Sequence, residues 1–310
     1  MDVGVVGVGM MGKNHLRIYS EMRGIDDIYV YDTNVKAMKE NAKIYSAEES
    51  RSLEELLKEV DLVSICVPTG YHFETAKKAI EHGVNFLVEK PITKTIEEAR
   101  RIVSLAEKQN LISGVGHIER FNPVISEIKK IVDAPLYVEI KRHNPSSARI
   151  RDSDVIIDLM IHDIDIVWNK LFENADISAA EGIKDGEIEM AQVIARDKRT
   201  LINISASRLS SSKIRTILIE EKEKTIFGDL VLQEVYVYKK PNVYSAMNIQ
   251  YKQENVTEKL VINKVEPLRT ELNTFVNCVR NNKKFEVPLE EGLNALKVAY
   301  EIKGMISNER

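Results

Sequence analysis

This sequence has little cysteine, no long apolar run and no excess of positive charge. Its 310 residues include two cysteines, Cys66 and Cys278, both among apolar neighbours, which excludes a secreted scaffold held by disulfide bonds. No run of about 18 apolar residues and no secretory leader pattern is present, so we expect a soluble, cytoplasmic protein without a membrane partner. The 44 Lys and Arg against 48 Asp and Glu give a net charge of −4, which argues against a nucleic-acid surface and favours small-molecule partners.

The length predicts two domains, because single cores rarely grow beyond roughly 250 to 300 residues. In the first 120 residues, short apolar runs alternate with amphipathic stretches of helix length. This alternation is typical of a doubly wound parallel sheet with helices on both faces, a Rossmann-type α/β domain over residues 1–120. The runs are Val3 to Gly7, Ile28 to Tyr31, Leu62 to Val67, Val84 to Val88 and Leu111 to Val115.

The pattern changes after Asn122 and Pro123. A helix to about Val132 and a long helix from about Asp158 to Phe172 frame a strand and a polar loop, and strand patterns then dominate from 177 to 262. Strands that follow each other without intervening helices predict a large, open, mostly antiparallel sheet. Residues 121–310 are therefore expected to form an α+β domain for substrate binding and oligomerisation, with two closing helices that return to the first domain.

A glycine-rich turn follows the first strand. It satisfies G-x-G-x-x-G at the start of a helix, where backbone N–H groups can bind a pyrophosphate, and it consists of Gly7, Gly9 and Gly12 with Met10 and Met11 inside the motif. Asp32 ends the second strand 20 residues beyond the last glycine, where a carboxylate can accept the ribose hydroxyls. The alternatives are a glycine turn that merely connects strand to helix and an aspartate that merely ends a strand.

Asp32 also selects the cofactor. A 2′-phosphate about 4 Å from this carboxylate would be repelled by roughly 1 kcal/mol in water and roughly 4 kcal/mol at a protein-surface dielectric. Thr33 and Asn34 follow, without an arginine to bind that phosphate. We therefore expect NAD.

Two further elements carry groups that can move protons. Lys90 follows the strand Val84 to Val88, at the edge where open α/β sheets bind ligands. Asp158 and His162 are four residues apart on the long helix and share a face with Asp165, away from an apolar stripe, so the carboxylate can orient the imidazole as a general base. That stripe is formed by Ile157, Ile161, Ile164, Trp168 and Leu171. The alternatives are a solvated strand-end lysine, an aspartate that stabilises the helix dipole and a polar histidine without chemistry. The other histidines lack metal-ligand spacing, so no metal is expected.

Together these elements resemble the glucose-fructose oxidoreductase, inositol dehydrogenase and rhizopine-catabolism (Gfo/Idh/MocA) family of NAD(P)-dependent oxidoreductases. The matching segments are GVGMMG at 7–12, VPTGYH at 67–72, EKP at 89–91 and the D-x-x-x-H at 158–162. The resemblance implies that Lys90 and His162 handle the proton, that Asp158 pairs with His162 or the substrate, and that Pro91 follows an unusual peptide bond. It also implies that Pro68, His72, Glu89 and Pro91 shape the nicotinamide pocket and that His117 lies near substrate and nicotinamide.

A narrower resemblance, to the branch that contains UDP-N-acetylglucosamine 3-dehydrogenases, is carried by GHIERFNP at 116–123 and by Arg149-Ile-Arg151-Asp152. It implies hydride transfer from C3 of the nucleotide sugar. Guanidinium groups fork onto phosphate oxygens and suit a diphosphate, so Arg120, Arg149 and Arg151 are expected at the rim of the substrate site, with Asn122 beside them. Surface ion pairs are the alternative role for these arginines.

Three questions stay open at this level. The sequence does not decide whether Lys90 or His162 is the base. A dehydrogenase of a free sugar or a polyol such as inositol would not need the arginines, and a non-catalytic NAD-sensing regulator would not need Lys90, Asp158 and His162.

In TLINISASRL at 200–209, Ile202, Ile204 and Ala206 alternate with weakly polar residues, which predicts a flat sheet face and a homo-oligomer.

Overall fold

The computed structural model describes residues 1–145, 153–172, 174–240, 245–247, 250–252 and 256–308. The chain divides into two compact units. The first comprises Met1–Ile118 and Glu266–Lys297, and the second comprises Glu119–Val265 and Val298–Arg310.

A six-stranded parallel sheet forms the first unit, as the sequence predicts. Its strands lie in the order β3-β2-β1-β4-β5-β6, with β1 between β2 and β4, so the chain reverses its winding direction beside β1. The central strands β1 and β4 are buried along their whole length, which explains their unbroken apolar sequence. The strands are β1 Val3–Val6, β2 Ile28–Tyr31, β3 Glu48–Glu49, β4 Leu62–Ile65, β5 Asn85–Glu89 and β6 Ser113–Gly116.

Five helices connect these strands: α1 Met10–Ser20, α2 Val35–Tyr45, α3 Leu53–Glu59, α4 His72–Glu81 and α5 Ile96–Lys108. Their starts follow ordinary capping chemistry. Thr95 and Glu98 form a reciprocal capping box on α5, and Asn34 accepts the N–H of Ala37 on α2. The helix α1 is different, because its N-cap is Gly9, which has no side chain to occupy the N-terminal N–H groups.

The second unit is built on an eight-stranded sheet in the order β16-β13-β12-β11-β7-β10-β9-β8. Among the strand pairs that the structure describes in it, only β7–β10 is parallel, so the expected open, mostly antiparallel sheet is confirmed. The elements before and within it are α6 Pro123–Ile131, β7 Tyr137–Pro145, α7 Ile161–Asp165, β8 Asp176–Asp185, β9 Glu187–Asp197, β10 Thr200–Ser207, β11 Leu209–Glu220, β12 Lys224–Asp229, β13 Glu234–Lys239 and β16 Val256–Lys259. A separate hairpin is formed by β14 Ser245–Met247 and β15 Gln250–Lys252.

Two helices close the chain. The helix α8, Pro267–Arg280, belongs to the first unit, and α9, Leu289–Asn308, begins in the first unit and ends in the second. Among the described residues, no helix is both long and apolar enough to cross a membrane.

Candidate active site

The glycine turn between β1 and α1 depends on the absence of side chains. Gly7 has φ +92°, and a Cβ there would lie 2.7 Å from the carbonyl oxygen of Cys66. A Cβ on Gly12 would lie 1.8 Å from the carbonyl oxygen of Gly7, so only glycine lets α1 pack this closely on the turn. A Cβ on Gly9 would meet no described residue within 4 Å, which leaves the N-terminus of α1 open to a phosphate. Met10 is exposed beside it and Met11 is half-buried.

Asp32 lies directly against this turn. Its Oδ2 accepts the N–H of Val8 at 2.6 Å and its Oδ1 accepts the N–H of Asn34 at 2.7 Å. Each carboxylate oxygen has a second acceptor site, which a ribose hydroxyl can use. An open helix N-terminus next to a fixed carboxylate is the arrangement that a dinucleotide requires, so these residues fit NAD.

The ends of β4 and β5 are joined by His72. Its Nδ1 lies 2.9 Å from the carbonyl oxygen of Pro91, and its Nε2 lies 2.9 Å from the carbonyl oxygen of Val67. Burial lowers the pKa of His72, although both carbonyl contacts act in the opposite direction. Pro68 is exposed in the turn that follows β4. His72 therefore ties the two strand-end turns to each other, and because both ring nitrogens face carbonyl acceptors, a neutral imidazole donates to only one of them at a time.

Lys90 directly precedes the turn that His72 holds. The peptide bond between Lys90 and Pro91 is cis, the unusual geometry expected there, and Lys90 is half-buried. The preceding Glu89 is buried, with Oε1 3.1 Å from Nε2 of His15. His117 is fully buried at the end of the neighbouring strand β6.

In the second unit, Asp158 and His162 lie on a helical segment of mixed type. The α-helix α7 is flanked by π-helical turns, Ile156–Met160 and Ile166–Leu171. The segment begins earlier than predicted, because the Oδ1 of Asp154 accepts the N–H groups of Ile156 and Ile157, each at 3.0 Å. The helix-start role considered for Asp158 thus belongs to Asp154.

The π turns also change which residues face inward. A π turn takes up more residues than an α turn, so a spacing counted at 3.6 residues per turn loses its phase. Asp158 and His162 are half-buried, whereas Asp165, expected on their face, is fully buried. The predicted stripe is wrong at Ile157, Trp168 and Leu171, which are half-buried. The fully buried apolar residues of the segment are instead Val155, Ile156, Met160, Ile161, Ile164, Ile166 and Val167.

Asp158 has an arginine partner that the sequence did not reveal. Nη2 of Arg208 lies 3.0 Å from Oδ2 of Asp158 and 3.4 Å from the carbonyl oxygen of Asp154. Arg208 is buried in the turn from β10 to β11. The ion pair therefore attaches the start of the helical segment to the sheet.

Arg120 and Asn122 are placed differently from the expectation that both contact substrate. Nε and Nη2 of Arg120 donate to the two oxygens of Asp165 at 2.6 and 2.9 Å, and both side chains are buried. Asn122 caps α6 by accepting the N–H of Val124 and donates to the carbonyl oxygen of Leu230. Both side chains are therefore held by buried partners, and their contact with substrate stays a prediction. Arg149 and Arg151 lie outside the described residues.

A second buried charge network anchors α7 to the sheet. Arg142, inward-facing on β7, makes three hydrogen bonds of 2.7 to 3.0 Å to Asp163 and one of 2.8 Å to Glu119. Arg215 donates to the same Glu119 at 3.1 Å. Burial raises the pKa of Glu119, but the two guanidinium groups lower it by more, so it falls below its usual range. For Asp163, burial outweighs Arg142 and its pKa is raised.

A signal for this network does exist in the sequence. Arg142 shares the inward phase of β7 with Val138 and Ile140, and Asp163 lies between apolar residues of the helix. A charge at an inward position needs a buried partner, although the pattern cannot say which one. Within the described part of the chain, no group of three or more His, Cys, Asp or Glu residues could hold a metal ion.

Known proteins with similar sequences and structures also bind NAD in this kind of fold. Residues 1–117 match the model of the Gfo/Idh/MocA oxidoreductase family with an NAD-binding Rossmann fold. UDP-N-acetylglucosamine 3-dehydrogenase of Acidithiobacillus ferrooxidans is 32% identical over 242 residues, which cover 77% of each chain. The solved structure of UDP-N-acetylglucosamine 3-dehydrogenase GnnA from that organism superimposes with a TM-score of 0.87 at 28% identity, covering 99% of this chain and 97% of that one.

A polyol dehydrogenase is also similar. The scyllo-inositol 2-dehydrogenase (NAD(+)) of Bacillus subtilis is 27% identical over 305 residues, covering 90% of this chain and 86% of that protein. The chain belongs to the Gfo/Idh/MocA family of NAD-binding oxidoreductases. Within that family it is an NAD-dependent sugar dehydrogenase.

Proposed function

We propose that the enzyme oxidises the C3 hydroxyl of UDP-N-acetylglucosamine to a 3-keto nucleotide sugar. The main support is the 32% identity to an enzyme of that name over 77% of both chains. The segment GHIERFNP and the retained Lys90, Asp158 and His162 agree with it.

Different residues of the chain bind the cofactor, position the strand-end turn and accept the proton. The glycine turn and Asp32 bind NAD, and His72 fixes the turn that carries Lys90. Bound by these residues, NAD would supply the acceptor for the hydride of C3. The hydroxyl proton passes to His162 or Lys90 as the carbonyl forms, and such a positioned base typically contributes 10²–10⁴-fold to the rate.

Asp158 is proposed as an orienting and charge-stabilising group. A carboxylate on the same helical segment as His162 favours the imidazolium that proton removal creates. The pair with Arg208 holds that carboxylate in place. The same reasoning disfavours a purely NAD-sensing regulator, which would have no use for these groups.

The competing function is oxidation of a free sugar or polyol, favoured by the scyllo-inositol dehydrogenase match across 90% of the chain. NADH formation should be followed with UDP-N-acetylglucosamine, free N-acetylglucosamine, UDP-glucose and inositol, with a keto-trapping reagent to pull an uphill oxidation forward. We expect the kcat/KM of UDP-N-acetylglucosamine to exceed those of free N-acetylglucosamine and inositol by about two orders of magnitude or more, the value of two charge-assisted phosphate contacts that these two substrates lack. Faster oxidation of inositol or a free sugar would establish the competing function.

We also propose that the enzyme works in the cytoplasm as a homo-oligomer. On β10, Ile202, Ile204 and Ala206 are buried against the unit's core, while Leu201 on the other face is 36% exposed. Ile194, 39% exposed on β9, pairs with Asn203 on that same face. This exposed apolar surface supports a symmetric partner. Light scattering at micromolar concentration should give at least twice 35.3 kDa, and a monomer mass would contradict this.

A further inference from the structure

A cavity of about 280 Å³ lies within the second unit. Its polar wall is supplied by Asn144, Asp158, Arg208, Lys213 and Arg215. Three of these side chains are cationic and one is anionic. The cavity is smaller than the roughly 300–1,000 Å³ of complete small-molecule sites, so it suits one charged part of a ligand rather than a whole nucleotide sugar.

The three cationic side chains differ in the partners that they have within the protein. Arg208 is buried and paired with Asp158. Arg215 gives Nη1 to Glu119, but its buried Nε–H has no acceptor among the described residues. Lys213 has no carboxylate within ion-pair distance in that same part of the chain. Lys213 and Arg215 therefore both have N–H groups that can donate to a ligand.

Lys213 and Arg215 repel each other. The pKa of Lys213 is lowered, first by the neighbouring guanidinium of Arg215 and second by burial. An anion between the two would relieve this repulsion and provide the missing acceptor. Leaving a buried donor without an acceptor is costly, so an anionic group that enters the cavity would be bound favourably by this donor.

The local backbone directs Lys213 to this place. The strands β11 and β7 change register between Leu209 and Ile214, and Lys213 lies in the irregular stretch. Such irregularities commonly redirect a side chain next to a binding site. On another part of the wall, Oδ1 of Asn144 is buried without a donor among the described residues, which suits a ligand hydroxyl.

We propose that this cavity is the phosphate subsite of the substrate, with Lys213 and Arg215 binding phosphate oxygens and Asn144 accepting a hydroxyl. The assignment rests on the proposed function in one respect, namely that the phosphate is the diphosphate attached to the oxidised sugar. Because Asp158 lines the same cavity, a phosphate held there places the attached sugar next to the candidate catalytic helix. Lys213 and Arg215 are then specificity-determining residues that take over the role expected of Arg120.

The test compares Lys213→Gln with a matched control, Lys222→Gln. Both lysines are exposed, and Lys222 lies beyond the end of β11, about 23 Å or more along the strand from Lys213. Calorimetric titration with UDP should show a dissociation constant raised about ten- to a hundredfold in Lys213→Gln, the value of one charge-assisted hydrogen bond. Lys222→Gln should match the wild type, Lys213→Arg should restore most of the affinity, and NAD affinity should be unchanged in all three.

A second titration with inorganic pyrophosphate separates this proposal from the proposed substrate. If the wild type oxidises UDP-N-acetylglucosamine while Lys213→Gln binds UDP and pyrophosphate as the wild type does, the subsite is wrong and the function stands. If pyrophosphate binding depends on Lys213 but no UDP sugar is oxidised, the subsite stands and the substrate is wrong. Equal loss of affinity in the Lys222 control would also overturn the subsite, because the effect would then be long-range charge alone.

Discussion

Nη2 of Arg208 and Oδ2 of Asp158 lie 3.0 Å apart, and this ion pair lines the cavity that also contains Lys213 and Arg215. The carboxylate proposed to assist His162 is therefore also the partner of a buried guanidinium. Its replacement tests both roles, provided that activity and stability are measured separately.

Asp158→Asn should lower turnover less than His162→Asn does, because the amide keeps an acceptor for Arg208 and the carboxylate only orients the base. Asp158→Leu removes the acceptor and should cost roughly 1–3 kcal/mol in the free energy of unfolding, since among the described carboxylates Arg208 then retains only Glu189 at 3.9 Å. Urea unfolding and steady-state kinetics on the same preparations check this. Equal loss of turnover in Asp158→Asn and His162→Asn would mean that Asp158 contacts the reacting atoms itself.

Lys90→Met and His162→Asn should each lower turnover about a hundredfold or more while leaving the affinity for NAD nearly unchanged. The effect belongs to proton transfer and not to cofactor binding, so kcat is the parameter that moves. Lys77→Met and His82→Asn are controls, because Lys77 is partly exposed on α4 and His82 follows that helix on the surface. Near-wild-type kcat in both the Lys90 and His162 variants would remove these residues from the mechanism.

The wild type should bind NAD at least tenfold more tightly than NADP, because Asp32 is held beside the glycine turn and repels a 2′-phosphate. Asp32→Asn should lower the ratio of the NADP dissociation constant to the NAD dissociation constant. Asp27→Asn, a substitution at an exposed position of the same unit, should leave this ratio unchanged. Calorimetric titration of both cofactors measures this. A wild-type preference for NADP would contradict the role of Asp32.

Arg142→Met should destabilise the protein by about 3–5 kcal/mol, since it leaves Asp163 and Glu119 buried without their shared cation. Lys130→Met breaks an exposed pair with Glu127 and should change stability by about 1 kcal/mol or less. The two variants differ in the burial of the pair and not in the charge removed. Similar unfolding midpoints in urea would show that the Arg142 network contributes little.

How far the sequence predicts the structure depends on the range of the interactions. The run Ile28 to Tyr31 matches β2 to the residue, because a strand in a parallel sheet covered on both faces needs apolar residues throughout. The two-residue strand β3, Glu48–Glu49, is exposed and has no apolar pattern, so nothing local indicated it. The glycine turn was recognisable because its spacing is set within one strand, one turn and one helix.

The second unit shows which features could not be predicted from the sequence. The phase of the helical segment was wrong because π turns are not visible in a 3.6-residue pattern. Arg120 was assigned to phosphate because its partner, Asp165, is 45 residues away and is brought near only by the fold. Lys213 and Arg215 were overlooked for the same reason, since a strand lysine gains meaning only when a cavity and a second cation are placed beside it.

The most direct test of the central claim is the position at which the sugar is oxidised. The enzyme should be incubated with NAD and UDP-N-acetylglucosamine, the product reduced with borodeuteride, and the deuterium located by NMR and mass spectrometry, with NADH counted in parallel. We expect one NADH per sugar and deuterium at C3 only. Deuterium at another carbon, or no incorporation while inositol is oxidised under the same conditions, would contradict it.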